Sequence, residues 1–147
     1  SLEPRPVQAP LEVWLGGTAP GALRRCGRLG DGWLPSLCSP DEAEAGRRII
    51  EAEAAAVGRA ISPEHYGVSV GYVLSPLGGA AAAALRGRRR GVDVEALVPV
   101  GWAATRELLQ RYLAGGFSKF VLRPLVPPAD WSAELDALAA AVGDLQT

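Results

Sequence analysis

Apolar positions along the chain fall into short bursts separated by glycine, proline or longer stretches with helical spacing. After an extended, proline-bearing lead-in over residues 1–10, "LEVWL" (11–15) predicts a strand that Gly16-Gly17 stops. Residues 19–29 follow a helical rhythm through Leu23 and Cys26, with Pro20 in the first turn and Gly30 at the close. "DGWLP" (31–35) is short, but its place between two helices predicts a buried strand. Ser39, Pro40 and Glu42 then form a capping-box signature, and Ile49, Ile50, Glu53/Ala54 and Val57 continue a pattern with one apolar face, in a helix ending at Gly58. "HYGVSVGYVL" (65–74) is a β-rich run whose Gly67 and Gly71 thin one face.

The second half continues the alternation. A weak alanine helix (78–87) leads into a solvated basic turn, "RGRRRG", and then a segment (92–101) able to hold a short extra helix and a linker. A strong helix over 102–116 turns Leu108, Leu109, Tyr112 and Leu113 inward, and "FSKFVLRPL" (117–125) predicts the last strand. Asp130 caps a final helix with a stripe of Leu135, Leu138, Ala139, Val142 and Leu145. Four strand–helix units with no hairpin signal predict an α/β fold with a parallel sheet and a single domain over residues 11–147. Two closures fit: half of a (β/α)8 barrel, whose full length is about 250 residues, or a small open parallel sheet.

Either closure places chemistry beyond the carboxyl ends of the strands. That rim holds Gly16, Gly17 and Thr18, then Pro35 and Ser36, then Leu74 and Ser75, then Arg123. Bare amides at Gly16-Gly17, with the Thr18 hydroxyl, make an anion seat, although the same glycine pair also serves simply to turn a strand into a helix. Arg123, between "FVL" and a proline, can meet a phosphate or carboxylate in paired hydrogen bonds, or pair with an acid on a neighbouring loop. His65 lies at the opposite strand end and reads as structural. Trp14 and Trp33 read as core aromatics, and Trp102 and Trp131 as packing residues at helix starts.

Composition narrows the classes. Fifteen basic and 16 acidic residues give a net charge of -1, which argues against nucleic-acid or membrane binding through a broad basic surface. No apolar run reaches membrane-spanning length and no signal architecture opens the chain, so a cytoplasmic protein is expected. Two cysteines without metal spacing predict packing thiols, and one histidine excludes a histidine-rich metal site. No nucleophile–base–orienter trio can be drawn, and the acids lie mostly on helices expected to face water, so no catalytic residue is assigned.

"VWLGGTAPGALRRCGRLGDGWLPS" (13–36), followed by "SPDEAEAGRRIIEAEAAAVGR", "HYGVSVGYVL" and "LLQRYLAGGFSKFVLRPL", resembles the C-terminal half of the luciferase-like monooxygenases, in particular their coenzyme F420-dependent actinobacterial branch. The resemblance covers residues 10–145. It implies a (β/α)8 barrel, a flavin mononucleotide (FMN) or F420 cofactor, and hydride transfer to, or oxygenation of, a small organic substrate. It further implies that Gly16, Gly17 and Thr18 sit beside the cofactor's phosphate-bearing tail or ring edge. Asp31, Gly32 and Trp33 would shape the next strand, and Arg123 would lie near substrate or tail. The first four or so βα units of that family have no counterpart here. Self-association as a homodimer, a separately encoded N-terminal half, or a longer parent chain would each supply the cover that an open half-barrel lacks. A non-catalytic binding or assembly module derived from the same fold is the alternative.

Overall fold

The computed structural model describes residues 3, 7–88, 93 and 96–145. Parts of the proline-bearing lead-in, of the basic turn and of the 92–101 segment lie outside these residues. Four strands alternate with helices: β1 (Trp14–Leu15), α1 (Pro20–Leu29), β2 (Gly32–Trp33), α2 (Pro40–Ala55), β3 (Gly67–Tyr72), α3 (Gly79–Gly87), α4 (Gly101–Ala114), β4 (Lys119–Pro124) and α5 (Trp131–Val142). β1 pairs with β2 and β3 with β4, both in parallel. The Trp33–Tyr66 and Ser36–Ser69 bridges join the two pairs, with the Ser69 amide donating to the Pro35 carbonyl at 2.8 Å. The strands therefore lie in chain order, 1-2-3-4. A doubly wound sheet reverses direction part-way; this one does not, so the open-sheet alternative gives way to barrel-type winding.

Alternation divides the sheet into two unlike faces. Leu15, Trp33, Tyr66, Val68, Val70, Phe120 and Leu122 meet Leu23 of α1, Ile50 of α2 and Leu109 and Tyr112 of α4 in one hydrophobic core. The other face carries Trp14, Gly32, Leu34, Gly67, Ser69, Gly71, Lys119, Val121 and Arg123, and β4 is alternately exposed and half-buried along its length.

Trp33 is fully buried at the centre of the helix-covered face. Its indole N–H donates to the Gly17 carbonyl at 3.0 Å, and its ring lies 6.1 Å from that of Phe117. Gly46 of α2 lies directly over it: a Cβ there would come within 2.6 Å of the indole. This close approach sets the register of α2, which buries Ala43, Gly46, Ile50 and Ala54 while Ile49 and Val57 stay 43% and 48% exposed. Ile49 thus lies off the buried face and Val57 past the end of α2, which packs through Ala43, Gly46 and Ala54 together with Ile50. The capping box is as expected, with the Ser39 hydroxyl accepting from the Glu42 amide and the Glu42 carboxylate from the Ser39 amide.

At the amino ends of the strands, Arg59 donates to the Gly30 carbonyl and to Asp31, each at 3.0 Å, closing the end of α1. Asp31 also accepts the Val13 amide, and its carbonyl lies 2.8 Å from His65 Nδ1, so both residues tie β1, β2 and the approach to β3 together. α5 also departs from expectation. Trp131 is 55% and Leu135 56% exposed, and Glu134 is the one residue of α5 that is buried. A barrel helix covers the groove between two strands, whereas α5 packs mainly against α4 and, among the described residues, no strand follows β4. Arg106 of α4 holds the far end of α5 by a two-pronged pair with Asp144.

Trp33→Phe removes the bond to Gly17 and leaves a void beneath Gly46; urea melts should show a loss of about 2–4 kcal/mol. Burial pushes the Cys26 thiol from 9.0 up to about 11, and pushes the hydroxyls of Tyr66 and Tyr72 from 10.0 up to about 12. The unfolded chain therefore releases these protons first, so stability present below pH 9 is lost as pH rises through these windows. Thermal melts in steps of pH should show a Tm that holds near neutrality and falls above pH 9, with a shallower onset in Cys26→Ala.

Candidate functional site

The carboxyl ends of the four strands carry two separate groups of polar atoms. At β1, Gly17 has φ +89°, a left-handed conformation that suits glycine, and its carbonyl is committed to Trp33. Thr18 is half-buried, and α1 begins at Pro20 after Ala19, which supplies no side-chain cap. Pro20 has no amide hydrogen and the Ala22 amide already donates to the Ala19 carbonyl at 2.8 Å, so in the first turn the Gly21 amide is the one left for an anion.

The second group lies across β2, β3 and β4. Ser36 and Ser69 are bridge partners, and Arg123, paired in register with Gly71, reaches back so that its Nε donates to Ser69 Oγ at 3.2 Å. Among the described residues no carboxylate pairs with Arg123, so of the two roles open to it the neighbouring-acid pairing is not the one observed. The Leu125 side chain fills the space that a Cβ at Gly71, its register partner, would take. Leu37, next to Ser36, has φ +52°, a conformation costly for a leucine, in a turn held by the Tyr112 hydroxyl donating to the Cys38 carbonyl.

The rim residues fare differently. Gly16, Gly17 and Thr18 stand at one edge of the sheet and Arg123 at the other, with β2 and β3 between them, so they form no single pocket. Ser36 joins Arg123 through Ser69, whereas Pro35 is fully buried among the core side chains. Leu74 is half-exposed and Ser75 exposed at the end of β3. Ser69 was not among the expected site residues. Its signal was present in the alternation Gly67, Ser69, Gly71, which puts a hydroxyl on the same thin face as the two glycines.

The expectation that acids would face water fails at one point. Glu134 is only 8% exposed and accepts a hydrogen bond from the Tyr72 hydroxyl at 2.8 Å. Burial, then the bond to Glu134 and its charge, hold the Tyr72 proton in place, pushing its pKa up to about 12. Among the described residues no group of three His, Cys, Asp or Glu side chains could hold a metal ion, and no helix is long and apolar enough to cross a membrane.

The luciferase-like monooxygenase profile matches residues 1–141, and the chain belongs to that family. Among solved structures, an F420-dependent secondary alcohol dehydrogenase, seen with an F420–acetone adduct, superposes with a TM-score of 0.72 at 15% identity, over 99% of this chain and 52% of its own. The F420-dependent tetrahydromethanopterin reductase of Methanopyrus kandleri gives 0.65 at 12% identity, over 95% and 52%. A riboflavin lyase with modified FMN and riboflavin gives 0.61 at 13% identity, over 90% and 42%. No curated protein sequence matches the chain significantly. The chain thus spans about half the length of these structures, and its four units are half of a (β/α)8 barrel. The helix-free face is the inner wall of that barrel.

Gly17→Ala forces a Cβ into a left-handed turn and within 3.1 Å of Ala22, whereas Gly16→Ala meets only the Leu34 carbonyl at 3.3 Å. Denaturant melts should rank Gly17→Ala as the costlier, by about 1–2 kcal/mol.

Proposed function

We propose that this chain is the C-terminal part of an F420- or FMN-dependent oxidoreductase, acting by hydride transfer to, or oxygenation of, a small organic substrate. One observation carries the reading: on the inner wall of a luciferase-like half-barrel, Arg123 is held by Ser69 and has no acidic partner among the described residues. A guanidinium so held is prepared for a phosphate or carboxylate. When bound, the reduced cofactor ring supplies the hydride or the electrons for oxygen activation. The residues of this chain hold and orient its anionic parts.

In this reading Gly16, Gly17 and Thr18 seat an anion of the cofactor tail or lie along the ring edge. The start of α1 favours the first role, through its partial positive charge and the Gly21 amide, which no side-chain cap occupies. Arg123 takes a second anion, on tail or substrate, and Ser69 sets its direction. Gly67 and Gly71 make room for the Leu34, Lys119 and Leu125 side chains, which form the wall there. The half not represented here completes the pocket, contributed by a second copy, by a separate N-terminal half-barrel or by a longer parent chain. Among the described residues no strand pairs with the outer edges of β1 and β4, and this, with the exposed Trp131 and Leu135 of α5, favours such a completion.

The test is a fluorescence titration of the 147-residue chain with F420 and, in parallel, with FMN. Saturable binding to one of them, weakened about tenfold or more in Arg123→Ala and in Gly17→Ala, is the expected result and names the cofactor. No binding to either at about 1 mM overturns an autonomous cofactor seat and leaves a module that assembles with another half.

A further inference from the structure

The two outer edges of the sheet, on β1 and β4, complement each other. The β3–β4 register, with the Leu125 amide donating to the Tyr72 carbonyl, turns the backbone groups of Phe120 and Leu122 toward the outer edge of β4. Pro124, next in that series, has no donor to leave unpaired there. On β1 the Val13 and Leu15 carbonyls accept the Asp31 and Leu34 amides, so Glu12, Trp14 and Gly16 turn their backbone groups outward. Lys119 and Val121 border the β4 edge on the inner wall; both are exposed, and Lys119 has no acidic partner among the described residues. Glu12 borders the β1 edge on the same wall, 3.6 Å from His65 and within 3.4 Å of the Trp14 indole nitrogen. On the helix-covered side, Val13 is 50% exposed at one edge. At the other, a groove of about 580 Å³ beside β4 is lined largely by Leu109, Leu113, Phe120, Leu122, Val142 and Leu145.

Barrel geometry fixes how these edges would meet. Followed across the sheet, the register sets Gly16, Leu34, Gly67 and Lys119 at one level. In a closed barrel of this class the level falls toward the strand starts by about eight residues per circuit, hence by about four in each half of a two-fold barrel. The strand after β4 therefore meets Lys119 with Glu12 rather than Gly16. The same stagger sets Val121 against Trp14 and Arg123 against Gly16, each pair on the inner wall, and Phe120 against Val13 on the helix-covered side. The outward backbone groups of the two edges alternate correctly for a parallel ladder in this register. Unstaggered pairing would instead set Arg123 against Pro20, which already belongs to α1.

We infer that two copies of this chain close one eight-stranded barrel, β4 of each pairing with β1 of the other in this staggered register. Each of the two identical seams joins Lys119 to the partner's Glu12, covers Val121 with the partner's Trp14 and fills the groove beside β4 with the partner's Val13. Closure also sets Arg123 beside the partner's Gly16. The two polar groups that one chain holds at opposite edges of its sheet thus adjoin across each seam. The inference rests on the half-barrel fold and not on the cofactor reading, so a mass measured without cofactor tests it separately.

Sedimentation velocity of the 147-residue chain at about 100 µM, without cofactor, should give twice the chain mass of 15.3 kDa. Glu12→Lys or Lys119→Glu alone places like charges at both seams and should weaken the dimer about tenfold or more. An equal mixture of the two variants should recover the dimer, because each seam of the mixed pair again joins opposite charges. Damage confined to either chain would not be repaired by mixing. Should a charge reversal unfold the chain by circular dichroism, Lys119→Gln takes its place, with a loss of about threefold expected. A monomer at that concentration overturns the inference and leaves the edges to a different half-barrel. Open polymers, a dimer that these substitutions do not weaken, or a mixture that does not recover overturn it equally.

Discussion

The burial of Trp33 is the constraint from which the rest of this fold follows. A tryptophan at zero exposure needs a partner for its indole N–H and a flat space for its ring. The Gly17 carbonyl supplies the first and Gly46 the second. Meeting both needs joins the end of β1, the middle of β2 and the face of α2 around one side chain. The same carbonyl requires the left-handed Gly17 turn, and that turn sets where α1 begins. A core contact and the shape of the proposed anion seat are thus two ends of one arrangement.

The parallel sheet was legible because glycine and proline punctuate the chain at nearly every strand end, and because the helices carry explicit starts such as Ser39-Pro40 and Asp130. The buried face of α2 was less legible. Hydrophobic periodicity weights large residues, whereas packing against an indole selects small ones, so Ile49 and Val57 misled where Ala43 and Gly46 were informative. The stripe of α5 misled for another reason: its apolar pattern belongs to a complete barrel, and this chain provides only one of the two strands it would cover.

The site divides in the same way. Gly16, Gly17, Thr18 and Arg123 could be placed on the rim from strand order alone, because direction along a strand determines which end a residue occupies. Which rim residues meet could not be read, since that depends on register between strands far apart in sequence. Ser69 reaches Arg123 across 54 positions of chain, and Tyr72 reaches Glu134 across 62. Each pair joins polar groups that a linear reading would leave to solvent.

The chain-order sheet also sets a gradient of compliance. α1 and α2 close tightly over the first two strands, with Gly27 packed against the backbone at Ile50, while α5 packs mainly against α4 with Trp131 and Leu135 in water. Local opening begins where the fewest apolar contacts must break. The Gly17 turn is therefore anchored in the stiff end of the molecule, and the segment bearing Glu134 in the soft end. A ligand meeting the Gly17 turn finds a fixed template, whereas whatever covers α5 contributes its own share of the order that the fold has left unfinished there.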